Sequence, residues 1–266
     1  MTTYSENTYK YISTLMEKET GMIIGPEKGY LIETRLSPLV RQHQLNGIDE
    51  LADKSKNPIY YNIKQEIIDA LTTNETTFFR DQIPFEHLKN YTLKQIKNKN
   101  IRIWSCACST GQEAYSISIL IDKIPEISRS HIQILGTDVS NTVLEKARNG
   151  IYSQFEVQRG LPTKDLITYF IQEGKDWKVI DKIKKNVNFE VGNVLSPKAS
   201  LGKFDVVFCR NLLIYFNIET KKKAINSIYN QMNPGGHLYI GGAETLLGIH
   251  DGFTLSDVYH GLYIKK

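Results

Sequence analysis

The sequence has few cysteines, isolated histidines and no long apolar run, and each shortage excludes a class of protein. The three cysteines are an odd number, without the spacing of a zinc site or a disulfide framework. No apolar stretch reaches the roughly 18 residues of a membrane-spanning helix. The N-terminus MTTYSENTYKYIS lacks the basic start and apolar core of a signal peptide. We therefore expect a cytoplasmic protein without disulfides, membrane insertion or a metal site.

Charge of one sign is also scarce. Residues 1–73 hold 8 Lys and Arg against 10 Asp and Glu, whereas residues 74–266 hold 25 against 19. The resulting net charge of +4 is mild, and a nucleic-acid-binding protein usually carries a denser basic stripe. The basic triple Lys221–Lys223 is typical of a solvated helix face. We therefore expect no nucleic-acid partner, and the uneven charge indicates two structural units.

The pattern of apolar residues divides the chain near residue 74. Before it, apolar residues recur at spacings of three and four, as in amphipathic helices, in YKYISTLMEK, YLIETRLSPLVRQHQL, IDELADKS and NIKQEIIDALTT. We predict an all-α N-terminal domain at 1–73, a linker and active-site segment at 74–100, and a larger domain at 101–266.

The larger domain alternates strands with helices. Strands are predicted in IRIWSCA, HIQILGTD, NVNFEVGN, FDVVFCRN and HLYIGG, and helices in EAYSISILIDKI, NTVLEKARNGI and IETKKKAINSIYNQM. Ser140 is placed to cap the second of these helices, NPGG reads as a turn, and FTLSDVYHGLYIKK as an antiparallel pair. This alternation predicts an α/β fold with a doubly wound mixed sheet, in which ligands bind beyond the carboxyl ends of the strands.

The stretch WSCACSTGQEAYSISILI joins a strand to a helix through six small residues and Gly111. Such a turn lets the backbone approach a ligand closely, and the following helix offers free N–H groups. Asp138, at the end of the next strand, is placed to accept hydrogen bonds from ribose hydroxyls. Two simpler alternatives stay open, because the turn is also compatible with a tight connection and Asp138 with a loop cap.

Four motifs in this order make the resemblance specific: TTNETTFFRD (72–81), WSCACSTGQEAYSIS (104–118), GTDVSNTVLEKARNGIY (136–152) and FDVVFCRNLLIYF (204–216). Together they resemble the CheR family, the chemotaxis receptor glutamate O-methyltransferases, over essentially the whole chain. The resemblance implies a helical domain followed by a class I methyltransferase domain with a small antiparallel β-subdomain. It also implies S-adenosylmethionine as methyl donor and side-chain glutamates of chemoreceptors as acceptors.

The resemblance also implies the site residues. Motif matching assigns cofactor binding to Asn74, Thr76, Arg80, Glu113, Asp138, Asn193, Val194, Arg210 and Asn211. A glutamate side chain is already ionised at pH 7, so its methylation needs positioning rather than a general base. Arg80 is the candidate for holding the acceptor carboxylate through bidentate hydrogen bonds, and Tyr215 is a second candidate for orienting it.

Simpler roles stay open for several of these residues. Thr72 and Glu75 match a capping box that would start a helix, and Arg80 could be a surface ion-pair partner. Arg210 and Asn211 could only terminate a strand. Tyr215 is compatible with core packing, and so are Phe216 and Cys209. At the level of function, the alternatives are a class I methyltransferase for nucleic acid or small molecules, and a non-catalytic adaptor.

The sequence departs from the family pattern in two places. Gln112 and Ala114 replace a common acid and proline after the glycine turn, which should be mild because alanine also suits a first helical turn. The helix RLSPLVRQHQL, which the family uses to dock on acidic receptor helices, retains only Arg35, Arg41 and His43 as basic residues. Receptor docking through this helix is therefore less firmly implied than the cofactor site.

Residues 151–188 are too many for a simple connection between a helix and the next strand. They contain the helix-like TKDLITYFIQ and the strand-like DWKVID and KIKKNVNF, at the place where the family carries its β-subdomain. In some relatives this edge captures a receptor tail peptide by strand addition. Receptor contact by this insertion, probed at a hairpin over 175–185, is one hypothesis, and a structural flap without a partner is the other.

For the chain as a whole, we expect a monomer.

Overall fold

The N-terminal residues form a helical unit with its own core. The computed structural model describes residues 4–96, 100–125 and 131–266. One compact unit runs to Thr73 and includes Tyr215–Thr220, and the second comprises Asn74–Ile214 and Lys221–Lys266. The helices of the first unit are α1 Glu6–Thr20, α2 Gly29–Gln42, α3 Ile48–Ser55 and α4 Tyr61–Leu71.

Local sequence explains these helices. The Ser5 hydroxyl accepts a hydrogen bond from the Thr8 N–H at the start of α1, and Gly21 ends that helix in the left-handed region with φ 79°. The apolar residues at helical spacing face one another, and Ile12, Met16, Ile32 and Leu36 are fully buried. The prediction of an all-α N-terminal domain is confirmed.

Two of the three basic residues proposed for receptor docking are engaged within this unit. The Arg35 guanidinium donates to the carbonyls of Leu71 at 2.8 Å and Thr72 at 3.0 Å, and so caps the end of α4. His43 pairs with Glu66. Exposed Arg41 is the member of the trio for which the structure gives no such internal role.

The second unit is built on a seven-stranded sheet. Its strands are β1 Ile101–Cys106, β2 Ile132–Asp138, β6 Val187–Val191, β7 Phe204–Cys209, β8 Met232–Ile240, β9 Phe253–Leu255 and β10 Leu262–Lys265. Their order is β6-β2-β1-β7-β8-β10-β9. The first five strands in this order are parallel to one another. β10 pairs antiparallel with β8 on one side and with β9 on the other. The predicted mixed, doubly wound sheet is confirmed.

This topology fixes where a ligand would bind. The strand order reverses between β1 and β7, so the carboxyl ends of these strands and of β2 border the switch point. The helices that follow β1, β2 and β7 are α7 Gln112–Asp122, α8 Asn141–Asn149 and α12 Ile218–Asn230. Ser140 caps α8 by accepting a hydrogen bond from the Val143 N–H, as predicted.

The insertion is a separate three-stranded antiparallel sheet in the order β3-β5-β4. Its elements are β3 Ile151–Ser153, α9 Gln154–Gln158, α10 Thr163–Tyr169, β4 Phe170–Glu173, β5 Asp176–Val179 and α11 Asp181–Lys184. The prediction of a small β-subdomain is confirmed. Its predicted internal bounds were wrong, because the hairpin spans 170–179 around Gly174, with φ 63°, and KIKKNVNF divides between α11 and β6.

One other local prediction was also wrong, and one alternative that the sequence left open is excluded. NPGG lies inside β8 at a register shift against β7, where the Asn233 side chain donates to Asp205 Oδ1 at 2.9 Å. The Thr72–Glu75 capping box does not form, because residues 73–77 are not helical and the Thr72 hydroxyl donates to the Asp69 carbonyl. Beyond this extended stretch lie α5 Ile83–His87, a π-helical turn Leu88–Thr92 and α6 Leu93–Gln95.

Over the parts of the chain that the structure describes, none of the helices combines the length and apolar character that crossing a membrane requires.

Candidate functional site

The turn after β1 is held in a strained, fixed shape. Ala107, Ser109 and Gly111 all have positive φ, at 50°, 51° and 90°. The Cys108 N–H donates to the Thr137 carbonyl at 3.0 Å, and the Ser109 N–H donates to Asp138 Oδ2 at 2.9 Å. Left-handed non-glycine residues cluster at functional sites, where the surrounding structure supplies the strain energy. The turn is therefore preformed.

The packing around Gly111 leaves no room for a side chain. A Cβ at this position would lie 2.8 Å from the Ala147 Cβ and 3.0 Å from the Phe189 ring. Its φ of 90° also disfavours any other residue. Packing of the turn against α8 and β6 is therefore one reason for the glycine, and close approach of a ligand stays a prediction.

Asp138 acts as an anchor for two loops. The residue is 6% exposed, and its Oδ1 accepts from the Ser140 N–H at 3.0 Å while Oδ2 accepts from Ser109. The capping alternative is thus real. A carboxylate oxygen can accept more than one hydrogen bond, so a capping role and a ligand-binding role are chemically compatible. Asp138 lies at the end of β2, beside the strained turn.

Arg210, directly after β7, connects three segments of the site. Its side chain is 2% exposed. It donates to Glu113 Oε2 at 3.1 Å, to Asp81 Oδ2 at 2.7 Å and to the Arg80 carbonyl at 2.9 Å. The Glu113 side chain is 13% exposed and that of Asp81 is 55% exposed, so the pair with Glu113 is the more buried one, and its loss would leave the buried Arg210 charge poorly compensated. Arg210 therefore does more than end a strand, and Asp81 is a site residue that the sequence did not reveal.

The same cluster leaves one buried donor for a ligand. The Nε of Arg210 has no hydrogen-bond partner among residues 4–96, 100–125 and 131–266, and buried donors are almost always paired. On the other side of the cluster, Glu113 Oε1 accepts from the Ser105 hydroxyl at 2.6 Å. A buried guanidinium donor and two carboxylates, those of Glu113 and Asp138, fit a ligand that carries both a carboxylate and hydroxyl or ammonium groups.

The segment that precedes α5 is bound to this turn. The Asn74 carbonyl accepts from the Ser109 hydroxyl at 2.8 Å, and the Phe79 N–H donates to the Ser116 hydroxyl at 2.9 Å. Arg80 is half-buried and its Nη1 donates to the Glu75 carbonyl at 3.2 Å. Thr76 is half-buried in the same segment.

Glu244 is a second residue that the sequence did not reveal. Its carboxylate accepts four backbone N–H groups, from Gly241, Asn211, Leu212 and Leu213, at 2.6 to 3.0 Å. It thereby holds Asn211 in the left-handed region with φ 57°. An acid four residues after the end of a buried strand, in GGAET, is the only local sequence signal for this clamp.

Three further predicted residues lie outside the segments described so far, and Gly192, next to Asn193, donates its N–H to the Asp138 carbonyl at 2.9 Å. Asn193 and Val194 follow β6, where Asn193 Oδ1 accepts from the Leu195 N–H at 2.8 Å and Val194 is buried. Tyr215 belongs to the helical unit, and its carbonyl accepts from the Ile23 N–H at 3.2 Å. The second unit thus brings together Asn74, Arg80, Glu113, Asp138, Arg210 and Asn211, but not Tyr215.

The cysteines serve the core. Cys106, Cys108 and Cys209 are free thiols that are at most 2% exposed. Burial raises the pKa of the Cys106 and Cys108 thiols well above their usual value, so both are protonated at pH 7. The prediction that Cys209 is a packing residue agrees with its complete burial.

Comparison with known proteins identifies the family. Residues 74–261 match the CheR methyltransferase SAM-binding domain, and residues 7–72 match the CheR methyltransferase all-alpha domain. The chain is 38% identical to chemotaxis protein methyltransferase Cher2 of Pseudomonas putida, with 96% of each chain covered. It is 36% identical to chemotaxis protein methyltransferase 1 of Pseudomonas aeruginosa, with 97% of each covered. For chemotaxis protein methyltransferase of Vibrio parahaemolyticus the identity is 37%, over 99% of this chain and 98% of the relative. The chain therefore belongs to the CheR family of chemotaxis methyltransferases, and its methyl donor is S-adenosylmethionine.

Proposed function

We propose that the protein methylates side-chain carboxylates of glutamates in chemoreceptors. The observation that carries this proposal is the composition of the open groove beside Arg80. Among the described residues, its lining contains Arg80 and Arg159 but no histidine, cysteine or lysine. Its two acids, Glu75 and Asp81, are each hydrogen-bonded to an arginine, Arg159 and Arg210 respectively, which disfavours them as general bases. Such a groove suits an acceptor that is already anionic, whereas a hydroxyl or amine acceptor usually needs a base to remove its proton.

The chemistry is an in-line displacement. S-adenosylmethionine supplies a methyl group on a sulfonium, the carboxylate oxygen forms the new C–O bond, and the electron pair of the broken C–S bond returns to sulfur. No proton moves in this step. The contribution of the protein is to align the two reactants and to exclude water, and alignment alone can lower a barrier by roughly 7–11 kcal/mol.

We assign cofactor binding to the cluster around the turn after β1. In this proposal Asp138 accepts hydrogen bonds from the ribose hydroxyls, and Glu113 accepts them from the ammonium group. The free Nε of Arg210 donates to the methionyl carboxylate. Asn193 and Val194 are assigned to the adenine. Asn74, Thr76 and Asn211 are assigned to the end of the cofactor that carries the reacting methyl group. Support comes from the shared edge of β1, β2 and β7 and from the unpaired Arg210 Nε.

Arg80 is assigned to the acceptor carboxylate, and Tyr215 is retained as a second residue for orienting it. The Arg80 guanidinium is half-buried and donates to the Glu75 backbone carbonyl at 3.2 Å, a neutral acceptor that does not neutralise its charge. A planar guanidinium can bind both oxygens of a carboxylate in parallel.

The test is incorporation of labelled methyl groups into receptor-containing membranes. Glutamyl methyl esters release methanol in alkali, so we expect protein-bound label that becomes volatile at high pH. Label that is stable to alkali would indicate another acceptor group and would contradict the proposal. Heat-inactivated protein and membranes without receptor serve as controls.

A further inference from the structure

The groove beside Arg80 has walls from two distant parts of the second unit. One wall is the segment Glu75–Ile83, and the other is Arg159–Gly160, which lies between α9 and α10 of the insertion. The groove has a volume of about 670 Å³. It is therefore large enough for an extended side chain and part of its backbone, and the insertion contributes directly to it.

The two walls are fixed against each other. Gly160 has a φ of 89°, and a Cβ there would lie 1.9 Å from the Phe78 carbonyl oxygen. The fully buried Phe78 ring packs edge-on against Tyr152 and Phe170 of the insertion, at centroid distances of 5.1 and 5.4 Å. Phe79 and Asp81 have φ values of 47° and 59°, and such strain marks functional segments. The groove is thus preformed.

An internal carboxylate already lies on the arginine of the second wall. Arg159 Nη2 donates to Glu75 Oε1 at 2.9 Å, and this hydrogen bond lowers the pKa of Glu75. The Arg159 and Glu75 side chains are 44% and 63% exposed. Because solvent screens exposed ion pairs, this one contributes little to folding. Its position in the groove therefore needs another explanation.

The rim of the groove resembles a protein-recognition surface. The Arg159 guanidinium lies 5.5 Å from the centroid of the Phe155 ring, and Phe155 is 67% exposed. Exposed aromatic residues and arginines are the residue types that dominate binding energy at protein interfaces. The lining holds two arginines, Arg80 and Arg159, and two acids, Glu75 and Asp81, of which Asp81 is paired with Arg210. If Glu75 leaves Arg159, both arginines face the groove, which then suits an acidic segment.

We propose that Arg159 is a positioning residue for the acceptor protein. In the free protein Glu75 occupies the place of an acceptor carboxylate on Arg159, and an acidic segment that flanks the methylated glutamate displaces Glu75 when it enters the groove. Arg80 then holds the reacting carboxylate while Arg159 holds its neighbour. This inference rests on the proposed function, because it deepens the assignment of the same groove.

The experiment compares two single variants with opposite expected effects. Arg159→Ala removes the receptor contact, so the KM for receptor should rise roughly fivefold, a size consistent with a half-exposed charge, with kcat nearly unchanged. Glu75→Gln removes the competing carboxylate, so the KM for receptor should fall below that of the wild type. Calorimetric affinity for S-adenosylmethionine should stay within twofold in both.

A charge swap separates this role from a structural one. Glu75→Arg combined with Arg159→Glu restores the ion pair but removes the arginine that would meet the receptor, so its KM should stay high. Lys10→Ala, which breaks an exposed ion pair with Glu6 of 2.6 Å, is the matched control and should keep the wild-type KM.

Each outcome decides the matter. Equal effects of both single variants, rescue by the swap, or unchanged KM values would overturn the role of Arg159 while wild-type methylation still stands. Absence of alkali-labile label from the wild-type protein would instead overturn the proposed function, and the inference with it.

Discussion

At the scale of single residues, Asp138 combines a structural and a proposed functional contact, and a conservative change separates them. Asp138→Asn keeps the size of the side chain but removes its charge. We expect S-adenosylmethionine to bind at least about tenfold more weakly, since a hydrogen bond to a charged group contributes roughly 1.5–3 kcal/mol. Isothermal titration calorimetry measures this loss.

The control for Asp138 is its neighbour Ser140. Ser140→Ala removes the cap of α8 and should cost about 1 kcal/mol of stability with cofactor affinity unchanged. If Asp138→Asn loses only stability and keeps its affinity, Asp138 is a cap alone.

Arg80 should affect turnover far more than folding. Within the described residues the Arg80 side chain is held by a hydrogen bond to the Glu75 carbonyl at 3.2 Å, so Arg80→Ala should keep the melting temperature within about 4 °C. Turnover should fall at least about tenfold, because a charge-assisted hydrogen bond to the acceptor is lost. Arg80→Lys should restore little, since an ammonium lacks the planar fork. Melting temperature and methyl-transfer rate are measured on the same samples. A large drop in both would contradict the assignment.

Glu244 predicts a loss of both stability and binding. Glu244→Ala leaves four backbone N–H groups without their carboxylate acceptor, and solvent can replace only part of these bonds. We expect a loss of about 2–4 kcal/mol in urea unfolding, together with weaker cofactor binding because Asn211 is no longer held. The stability of Glu244→Gln, which keeps one oxygen acceptor, should lie between that of the wild type and that of Glu244→Ala. Wild-type stability of Glu244→Ala would show that the clamp is dispensable.

These residues also show which contacts a sequence reveals. Asp138, Glu113 and Arg210 lie inside motifs with a distinctive local pattern, so family resemblance found them. Asp81 and Glu244 act on partners 129 and 31 to 33 residues away. Asp81 lies inside the motif TTNETTFFRD and Glu244 in the ordinary stretch GGAET, but neither neighbourhood indicates the distant partner, so only the fold reveals what these two acids contact.

At the scale of elements, the insertion supports the active-site turn as well as offering a free sheet edge. The Tyr152 hydroxyl of β3 donates to the Thr110 carbonyl at 2.7 Å, and Phe170 packs on Phe78. The edge strand β4, in contrast, carries exposed side chains such as Ile171. The two hypotheses for the insertion, receptor contact and a structural flap, therefore apply to different parts of it. The part around β3 supports the fold, and the hairpin is the candidate for tail capture.

Replacing residues 171–178 by a short glycine linker tests the hairpin alone, because Phe170 and Val179 stay in the core. We expect the variant to keep its cofactor affinity and, if a receptor tail adds as a strand, to lose binding of a tail peptide measured by fluorescence anisotropy. A Lys178→Ala variant with the hairpin intact is the control and should bind the peptide. Loss of cofactor affinity in a folded linker variant would assign the hairpin to the catalytic site.

Element prediction succeeded where one periodicity extends over a whole element. The alternation that predicted β1, β2 and β7 and the helical spacing in α1 to α4 both extend over several residues. It failed in TKDLITYFIQ and KIKKNVNF, where a helix and a strand meet within ten residues. The prediction of a turn at NPGG was wrong for a related reason. Pairing of β8 with both β7 and β10 keeps these residues inside the strand, where they form a register shift instead of a turn.

At the scale of the whole molecule, stability should depend on buried histidines that the proposed chemistry does not use. His237 of β8 is 3% exposed, and neither ring nitrogen has a partner within the described ranges. Burial lowers the pKa of His237 to about 4, with His87 nearby adding to the effect, and burial also lowers the pKa of His87. Both residues are therefore neutral in the folded protein at pH 7.

The sign of the pH dependence follows from these pKa values. An unfolded histidine titrates near 6.5, above the folded value, so protons bind preferentially to the unfolded chain below that pH. The stabilisation is fully present above pH 6.5 and is lost as pH falls toward 4. For His237 the loss between pH 6.5 and 4.5 should be about 2 kcal/mol. His237→Phe should remove this part of the decline in urea unfolding, whereas His260→Gln, at an exposed histidine, should not. Parallel declines in the wild type and His237→Phe would mean that carboxylates alone determine acid unfolding.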